Sequence, residues 1–471
     1  MLLNSIIKYE GLTDAEKTSI DRLTAHLSQG IKTPKDINYL LAASLYCRAD
    51  QLLLNYENAA IPNWFVNDYL KFMFAAPTLF QEVGEADNYC RYMQGWVSYL
   101  HNNIFKNQNS QVWQDIAWFF TQSANFIPLY FNSENLKDVY TKRADIIEYA
   151  MKHRGAAIDC IFPARPANRG KIRLGVLTKH FGAMTETFAT LPAFEHLNRE
   201  QFEIILYAIN LDGNKLEQYC QSRADRLVKL SNDLPSQIQT IRADDLDILL
   251  IATNITAVTH PISLLALHRL ARVQTTCFNS PITTGMRHID YYIAGKLMEP
   301  TPDGQRHYRE QLAIIDGLGC CFSYTLEPYT PNIQLNRNSL GISEESVVFV
   351  SSANLYKLLP ELRETWAKIM AAVPNSVLFL MPFGPSWTNH YPGGAFVNNM
   401  KAVFAKYGID SQRLRVWKSF PNRADVKEVL KLGDVYLDSY PYAGTTSLVD
   451  PLEVGLPTVV RDGDTLRSRM G

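Results

Sequence analysis

The chain has 471 residues, 46% hydrophobic and 20% charged. At about 150 residues per domain there is room for three domains with large cores, and the composition is too apolar for a disordered scaffold. Lys plus Arg is 46 and Asp plus Glu is 47, a net charge of −1 that argues against a general nucleic-acid binder or a polybasic membrane-surface protein.

Seven cysteines (Cys47, Cys90, Cys160, Cys220, Cys277, Cys320 and Cys321) are odd in number and form no CxxC. Neither a disulfide framework nor a structural zinc site is expected, and a reducing cytoplasm fits. The N-terminus MLLNSIIKYEGLTDAEK lacks the basic start and apolar run of a signal peptide. No run of about 18 apolar residues exists, so no membrane span is expected. The sequon Asn254-Ile255-Thr256 is read as chance in a cytosolic protein.

Residues 1–160 read as helical. Thr13-Asp14 is placed to cap a helix through DAEKTSIDRLTAHLS. Apolar residues recur at helical spacing in DINYLLAASLYCRADQLL, WFVNDYLKFMF, DNYCRYMQGWVSYLHNNI, VWQDIAWFFTQSANF and LKDVYTKRADIIEYAMKH, punctuated by Pro62, Pro77 and Pro128. No repeat near 34 residues emerges, so a bundle rather than a solenoid is expected. Trp64, Phe65, Trp96, Trp113 and Trp118 are read first as helix–helix core and second as a partner groove.

Phe162-Pro163-Ala164-Arg165-Pro166 reads as a linker, after which the texture changes. KIRLGVLT, FEIILYAI, LDILLIAT, VQTTCF, YYIAG and LAIID are short apolar runs rich in β-branched residues, with helical stretches between several of them. A second series starts near residue 346: strands VVFVSSA, SVLFLMPFG, LRVWKS, DVYLDSY and PTVVRDG alternate with helices ELRETWAKIMAAV, FVNNMKAVFAKYG, DVKEVLKLG and TSLVDPLEVG. The expected fold is α/β: two Rossmann-type domains, residues 165–335 and 340–471, preceded by the all-helical residues 1–160. Such a pair binds ligand at the carboxyl ends of its strands, in the cleft between domains. The chain stops at Thr465-Leu466-Arg467-Ser468-Arg469-Met470-Gly471, just after the last expected strand, so an incomplete C-terminal domain is expected.

The most informative stretch is DVYLDSYPYAGTTSLVDPLEVGLPTVV. A strand ends in Asp438-Ser439-Tyr440-Pro441-Tyr442, and Gly444-Thr445-Thr446-Ser447 opens a helix that carries Asp450. Amides and hydroxyls at a helix start suit a diphosphate, although Thr and Ser are also ordinary caps. Asp450, a turn further on, is placed to accept from a ribose hydroxyl. In FVSSANLYKLLPELRETW a strand leads into a loop that sets Lys357 before a helix, where it would neutralise a diphosphate leaving group. The bland alternative is a solvated surface lysine.

These two segments resemble the catalytic region of protein O-GlcNAc transferases and SPINDLY-like proteins. RLARVQTTCFNSPITTGMRHIDYYIAG resembles that family's segment before its inter-domain insert, and HFGAMTETFATLPAFEHLNREQFEIILYAI its first strand–loop–helix unit. Bacterial adhesin-modifying protein N-glucosyltransferases belong to the same wider family. The resemblance spans roughly residues 170–471. It implies a GT-B pair of Rossmann domains and an inverting, metal-independent transferase with no cofactor, using a nucleotide sugar as co-substrate. Carried over by position, Asn354 and Lys357 would lie on the donor, with Lys357 at the diphosphate. Thr445, Thr446 and Ser447 would hold phosphate, Asp450 the ribose and Pro421 the base. Pro281, Thr283, Thr284 and Gly285 would face the sugar.

The sequence departs from the family on the acceptor side. Met184 stands where a His is typical. Asn254-Ile255-Thr256 replaces Gly-His-Thr or Gly-Tyr-Thr. Cys277 to Ile282 replaces Trp-Leu-Gly-Tyr-Pro-Gly. Glu186 and His180 flank the altered loop and are the candidates for the base; for Glu186 the alternative is a carboxylate favoured at a helix start. The Asp245-Leu246-Asp247 and Asp462-Gly463-Asp464 triples are not read as metal sites, the first lying at the wrong end of its strand. Gly317-Leu318-Gly319 is too little of a fingerprint for a dinucleotide, and Cys320 and Cys321 are read as structural thiols.

The leading expectation is a cytoplasmic enzyme that moves GlcNAc or glucose from a UDP-sugar to Ser, Thr or Asn of a protein, with the helical region recruiting the acceptor. The alternatives are a truncated or degenerate relative that binds nucleotide or partners without transfer, and an epimerase or small-molecule transferase of the same fold.

Overall fold

The computed structural model describes residues 12–299, 303–324, 326–327, 330–384 and 391–471. The amino-terminal third is helical: α1 (Asp14–Leu27), α2 (Pro34–Ser44), α3 (Val66–Met73), α4 (Glu85–Lys106), α5 (Gln111–Ser123) and α6 (Lys137–His153). Thr13 and Glu16 form the capping box that opens α1. α2 ends at Ser44, short of the apolar run that follows it; a 3-10 turn at Ala49–Gln51 and a left-handed Leu53 (φ 47°) take over.

The first α/β unit runs β1 (Ile172–Thr178), α7 (Thr185–Thr190), α8 (Pro192–Glu195), β2 (Phe202–Ala208), α9 (Lys215–Ser222), β3 (Arg226–Lys229), α10 (Leu234–Ala243), β4 (Ile248–Ile251), α11 (Pro261–Ala266), β5 (Val273–Thr276), β6 (Tyr291–Gly295) and β7 (Gln311–Ile315). Its parallel sheet has the order β3-β2-β1-β4-β5-β6-β7. The second runs β8 (Val347–Ser351), α12 (Pro360–Ala372), β9 (Ser376–Leu380), α13 (Gly393–Lys406), β10 (Leu414–Val416), α14 (Arg423–Leu430), β11 (Val435–Leu437), α15 (Thr446–Glu453) and β12 (Thr458–Val459). Its parallel sheet has the order β10-β9-β8-β11-β12. The pair of Rossmann-type domains behind a helical region is the fold expected from the sequence. Of the described strands, only β3 was not anticipated. It is a four-residue edge strand, Arg-Leu-Val-Lys, with too few apolar residues to stand out.

Strand order reverses between β1 and β4 in the first sheet and between β8 and β11 in the second. Such switch points open crevices at the carboxyl ends of strands. They select four loops: residues 179–186, 252–260, 352–357 and 438–447.

The helical region is not a separate body. One buried cluster runs from Leu40, Trp96, Phe120 and Ile147 through Tyr207, Leu249 and Ile251 of the first sheet to Ile282 and Ile289. The other face of that sheet packs Val176, Leu206 and Leu250 against Phe181, Phe188 and Phe194. The aromatic side chains put forward for a partner groove serve this core for the most part. Trp96 is buried and stacked on Tyr99, Phe65 is buried, and Trp118 lies under Arg154. Trp64, at 72% exposed, is the exception. Gly319 (φ +70°) explains the GxG motif: a Cβ there would meet the Gly295 backbone nitrogen at 2.2 Å, so the glycine serves backbone packing.

Candidate functional site

On the second sheet, β8 ends at Ser351 and the chain turns through Asn354 into a 3-10 turn that carries Lys357. The Asn354 side chain shapes this turn: Oδ1 accepts from the Tyr356 amide (3.2 Å) and Nδ2 donates to the Tyr391 hydroxyl (2.8 Å). Asn354 is itself buried, so it acts on the turn. Lys357 is no solvated surface lysine. It is buried, its Nζ donates to the Ala443 carbonyl (2.8 Å), and it lies 4.0 Å from the centre of the Tyr442 ring. Burial pulls its pKa down to about 8, opposed by the nearby Asp438 carboxylate.

On the neighbouring strand, Asp438 follows β11 and accepts the Gly444 amide on both oxygens (3.0 Å each). Burial raises its pKa, and the Gly444 amide and Lys357 oppose that rise. A Cβ on Gly444 would meet Asp438 Oδ1 and Ser447 Oγ at 2.6 Å, so only glycine lets this turn close. Thr445 is the cap residue of α15, and Thr446 and Ser447 form its first turn; all three are half-buried. Lys357 thus meets the amide-rich opening of a helix, where partial positive charge also collects. The pair offers a cationic wall to an anion that forms at this spot.

Asp450 lies one turn along α15, buried, with Arg423 Nε on its Oδ1 at 2.8 Å. Arg423 also bonds Glu327 (2.6 Å) and stacks on Tyr324 (3.4 Å). Burial raises the Asp450 pKa while Arg423 opposes the rise. Pro421 is exposed beside the Trp417–Phe420 pair, just before α14.

On the first sheet, Glu186 stands in the first turn of α7 and accepts the Thr253 hydroxyl on both oxygens (3.1 Å each). His180 lies in the same loop, with Nδ1 accepting the Gly182 amide at 3.2 Å. Met184 is 54% exposed. Sequence reasoning missed His260, which precedes α11; its Nε2 donates to the Asn254 carbonyl (2.8 Å). Burial lowers the His260 pKa, while Asn254 and Glu186 oppose this. No local motif marks His260; its place follows from the β4 loop.

Pro281, Thr283, Thr284 and Gly285 lie in the interior. Thr283 Oγ1 donates to Glu310 Oε2 (2.5 Å), and the Thr284 amide and hydroxyl both go to Glu310 Oε1. Gly285 backs onto α6. These hydroxyls are committed to Glu310 in the described conformation rather than turned to a sugar. The Asp245 and Asp247 carboxylates are ion-paired with Arg169 and Arg272, and Asp462 with Arg469. Among the described residues no cluster of three or more His, Cys, Asp or Glu is arranged to hold a metal ion, and no helix is long and apolar enough to cross a membrane.

Residues 327–471 match the family described as glycosyl transferase family 41. The chain is 30% identical over 235 residues to a probable UDP-N-acetylglucosamine–peptide N-acetylglucosaminyltransferase SPINDLY of Petunia hybrida, covering 49% of this chain and 23% of that protein. It is 25% identical over 317 residues to the Arabidopsis thaliana SPINDLY of the same description, covering 66% of this chain and 32% of that one. The chain thus spans under a third of these relatives' length. A mutant O-GlcNAc transferase of Thermobaculum terrenum superimposes with a TM-score of 0.59 at 19% identity, covering 98% of this chain and 85% of that one; the likeness is one of fold. The family resemblance and the two-Rossmann fold read from the sequence are both borne out.

Proposed function

We propose that this relative of the family 41 glycosyltransferases transfers a sugar, GlcNAc or glucose, from a UDP-sugar to a hydroxyl or amide side chain of a protein. The observation that carries the reading is Lys357, a buried ammonium held against the turn that opens α15. A buried cation is costly unless an anion compensates it. A diphosphate would do so here, with Thr445, Thr446 and Ser447 supplying amides and hydroxyls and Asp450 and Pro421 flanking the nucleoside.

In this reading the acceptor attacks the anomeric carbon from the face opposite the diphosphate. The bond to the acceptor forms as the bond to the diphosphate oxygen breaks, and that oxygen keeps the electron pair. Lys357 and α15 stabilise the departing charge, and Glu186 takes the acceptor's proton. His180 stands beside that loop without a step assigned to it. Glu186→Gln is expected to lower the transfer rate by about a hundredfold while leaving UDP affinity within about twofold, read by steady-state kinetics and calorimetry.

The test is a thermal-shift panel of UDP, UDP-GlcNAc, UDP-glucose, GDP and GDP-fucose. A uridine-specific rise in melting temperature supports the reading; a guanosine-specific rise moves it to a different donor; no rise with any nucleotide sinks it. UDP affinity is also expected to fall as pH rises through about 8, where free Lys357 loses its proton. The sign follows because the diphosphate favours the ammonium: affinity is full below the free-state pKa and drops by about tenfold per pH unit above it, up to the bound-state pKa. Exposed Met184, in place of the family's His, favours a second reading in which nucleotide binds and nothing is transferred. Nucleotide binding with no sugar transfer to any peptide would select it.

A further inference from the structure

The helical region meets the second Rossmann domain both near Phe80–Gly84, where Glu361 accepts the Gly84 amide (2.6 Å), and through a 3-10 turn at Ile127–Phe131 that lies beside the proposed donor site. Tyr130 in this turn is buried and touches both Rossmann domains. Its hydroxyl lies 2.7 Å from Thr256 Oγ1 and 3.3 Å from Asn254 Oδ1, in the loop after β4. Its ring meets the Tyr442 ring edge-on, with centroids 5.6 Å apart and planes at 75°. Phe131 supports the same ring from 6.3 Å. The second domain holds the segment in return: Arg467 Nη2 donates to the Asn132 carbonyl (2.7 Å) and the Glu134 carbonyl (2.6 Å).

We infer that Tyr130 is a positioning residue for the donor site through its ring, which fixes Tyr442, whose face in turn fixes the Lys357 ammonium. The inference rests on the proposed role of Lys357. A cation on an aromatic face is held only where the ring is held, and an edge-on neighbour is what fixes a tyrosine ring. The charged groups around this arrangement include Asp438 at the end of β11, which acts on Lys357, Arg467, which acts on Tyr442, and Arg143 of α6, which acts on Tyr130. With Tyr130 gone, Tyr442 gains freedom and Lys357 loses its fixed seat beside α15, without any direct contact between Tyr130 and the nucleotide.

The experiment is a double-mutant cycle on the full chain, with UDP as the probe and calorimetry as the readout. Tyr130→Leu is expected to weaken UDP binding by about tenfold in the wild-type background and by less than about twofold when Lys357 is already Ala. Tyr130→Phe keeps the ring and is expected to bind UDP within about twofold of wild type; it also remains testable if Tyr130→Leu fails to fold. Equal losses for Tyr130→Leu in both backgrounds would mean a general structural role and overturn the inference, as would a Tyr130→Phe loss as large as that of Tyr130→Leu. Absence of UDP binding by the wild type overturns the donor-site reading and this inference with it, whereas additive losses in a protein that binds UDP overturn this inference alone.

Discussion

Lys357→Met is expected to reduce sharply, without abolishing, the thermal shift given by UDP and, in the same protein without ligand, to raise the melting temperature. The two effects have one cause. Burial pulls the lysine from the ordinary 10.5 to about 8, so at neutral pH the folded protein carries a cation in a place that disfavours it. A shift of that size corresponds to about 3 kcal/mol of strain, an upper bound for what methionine recovers, since the bond to the Ala443 carbonyl and the contact with Tyr442 are lost. The sign can be checked against pH. Between about 8 and 10.5 the unfolded chain holds a proton that the folded one has shed. The wild type therefore gains stability from this group as pH rises through that window, and the methionine variant does not. Melting curves of both proteins from pH 7 to 10, with and without UDP, would show it. A destabilised Lys357→Met protein would mean that the lysine is built in for the fold, and the argument for a missing diphosphate would fail.

Gly285→Ala is expected to cost about 3 kcal/mol or more and to loosen the helical region from the first sheet. The new Cβ would come within 2.2 Å of the Tyr140 carbonyl oxygen and 2.6 Å of the Thr141 nitrogen, both backbone atoms of α6 that cannot swing aside, and the residue sits at φ +66°. Gly155→Ala provides the contrast. Its φ is +83° but nothing lies within 4 Å of the new Cβ, so it bears only the left-handed penalty of about 1 kcal/mol. Urea unfolding of the two variants would separate backbone strain from collision. Equal losses would show that α6 yields, and that the seam between helices and sheet is softer than its packing suggests.

Most of the α/β architecture was legible because parallel strands buried on both faces leave nearly continuous apolar runs, as in Leu249–Ile251 or Phe349–Val350. The edge strand Arg226–Lys229 was not, since half its residues meet water and it leaves no such run. In the candidate site, the placement of Lys357 and of the Gly444 turn was readable because each follows a recognisable strand. Their neighbours were harder. Arg423 reaches Asp450 from 27 residues away, and Glu310 reaches Thr283 from the same sequence distance. No local spacing foretells either. In the same loop the Thr284 hydroxyl also goes to this buried glutamate. Tyr130 left no signal at all, because its partners lie 124, 126 and 312 residues further along the chain.

The continuous core between the amino-terminal helices and the first sheet sets how the protein can come apart. Tyr207, Leu249 and Ile251 share one buried cluster with Trp96, Phe120 and Ile147. Severing the chain near residue 160 would bare an apolar sheet face on one fragment and its matching helical face on the other. Segments that share a core open together. The helices are thus no interchangeable attachment: with the first sheet they complete one core, and the two are expected to fold and unfold as a unit.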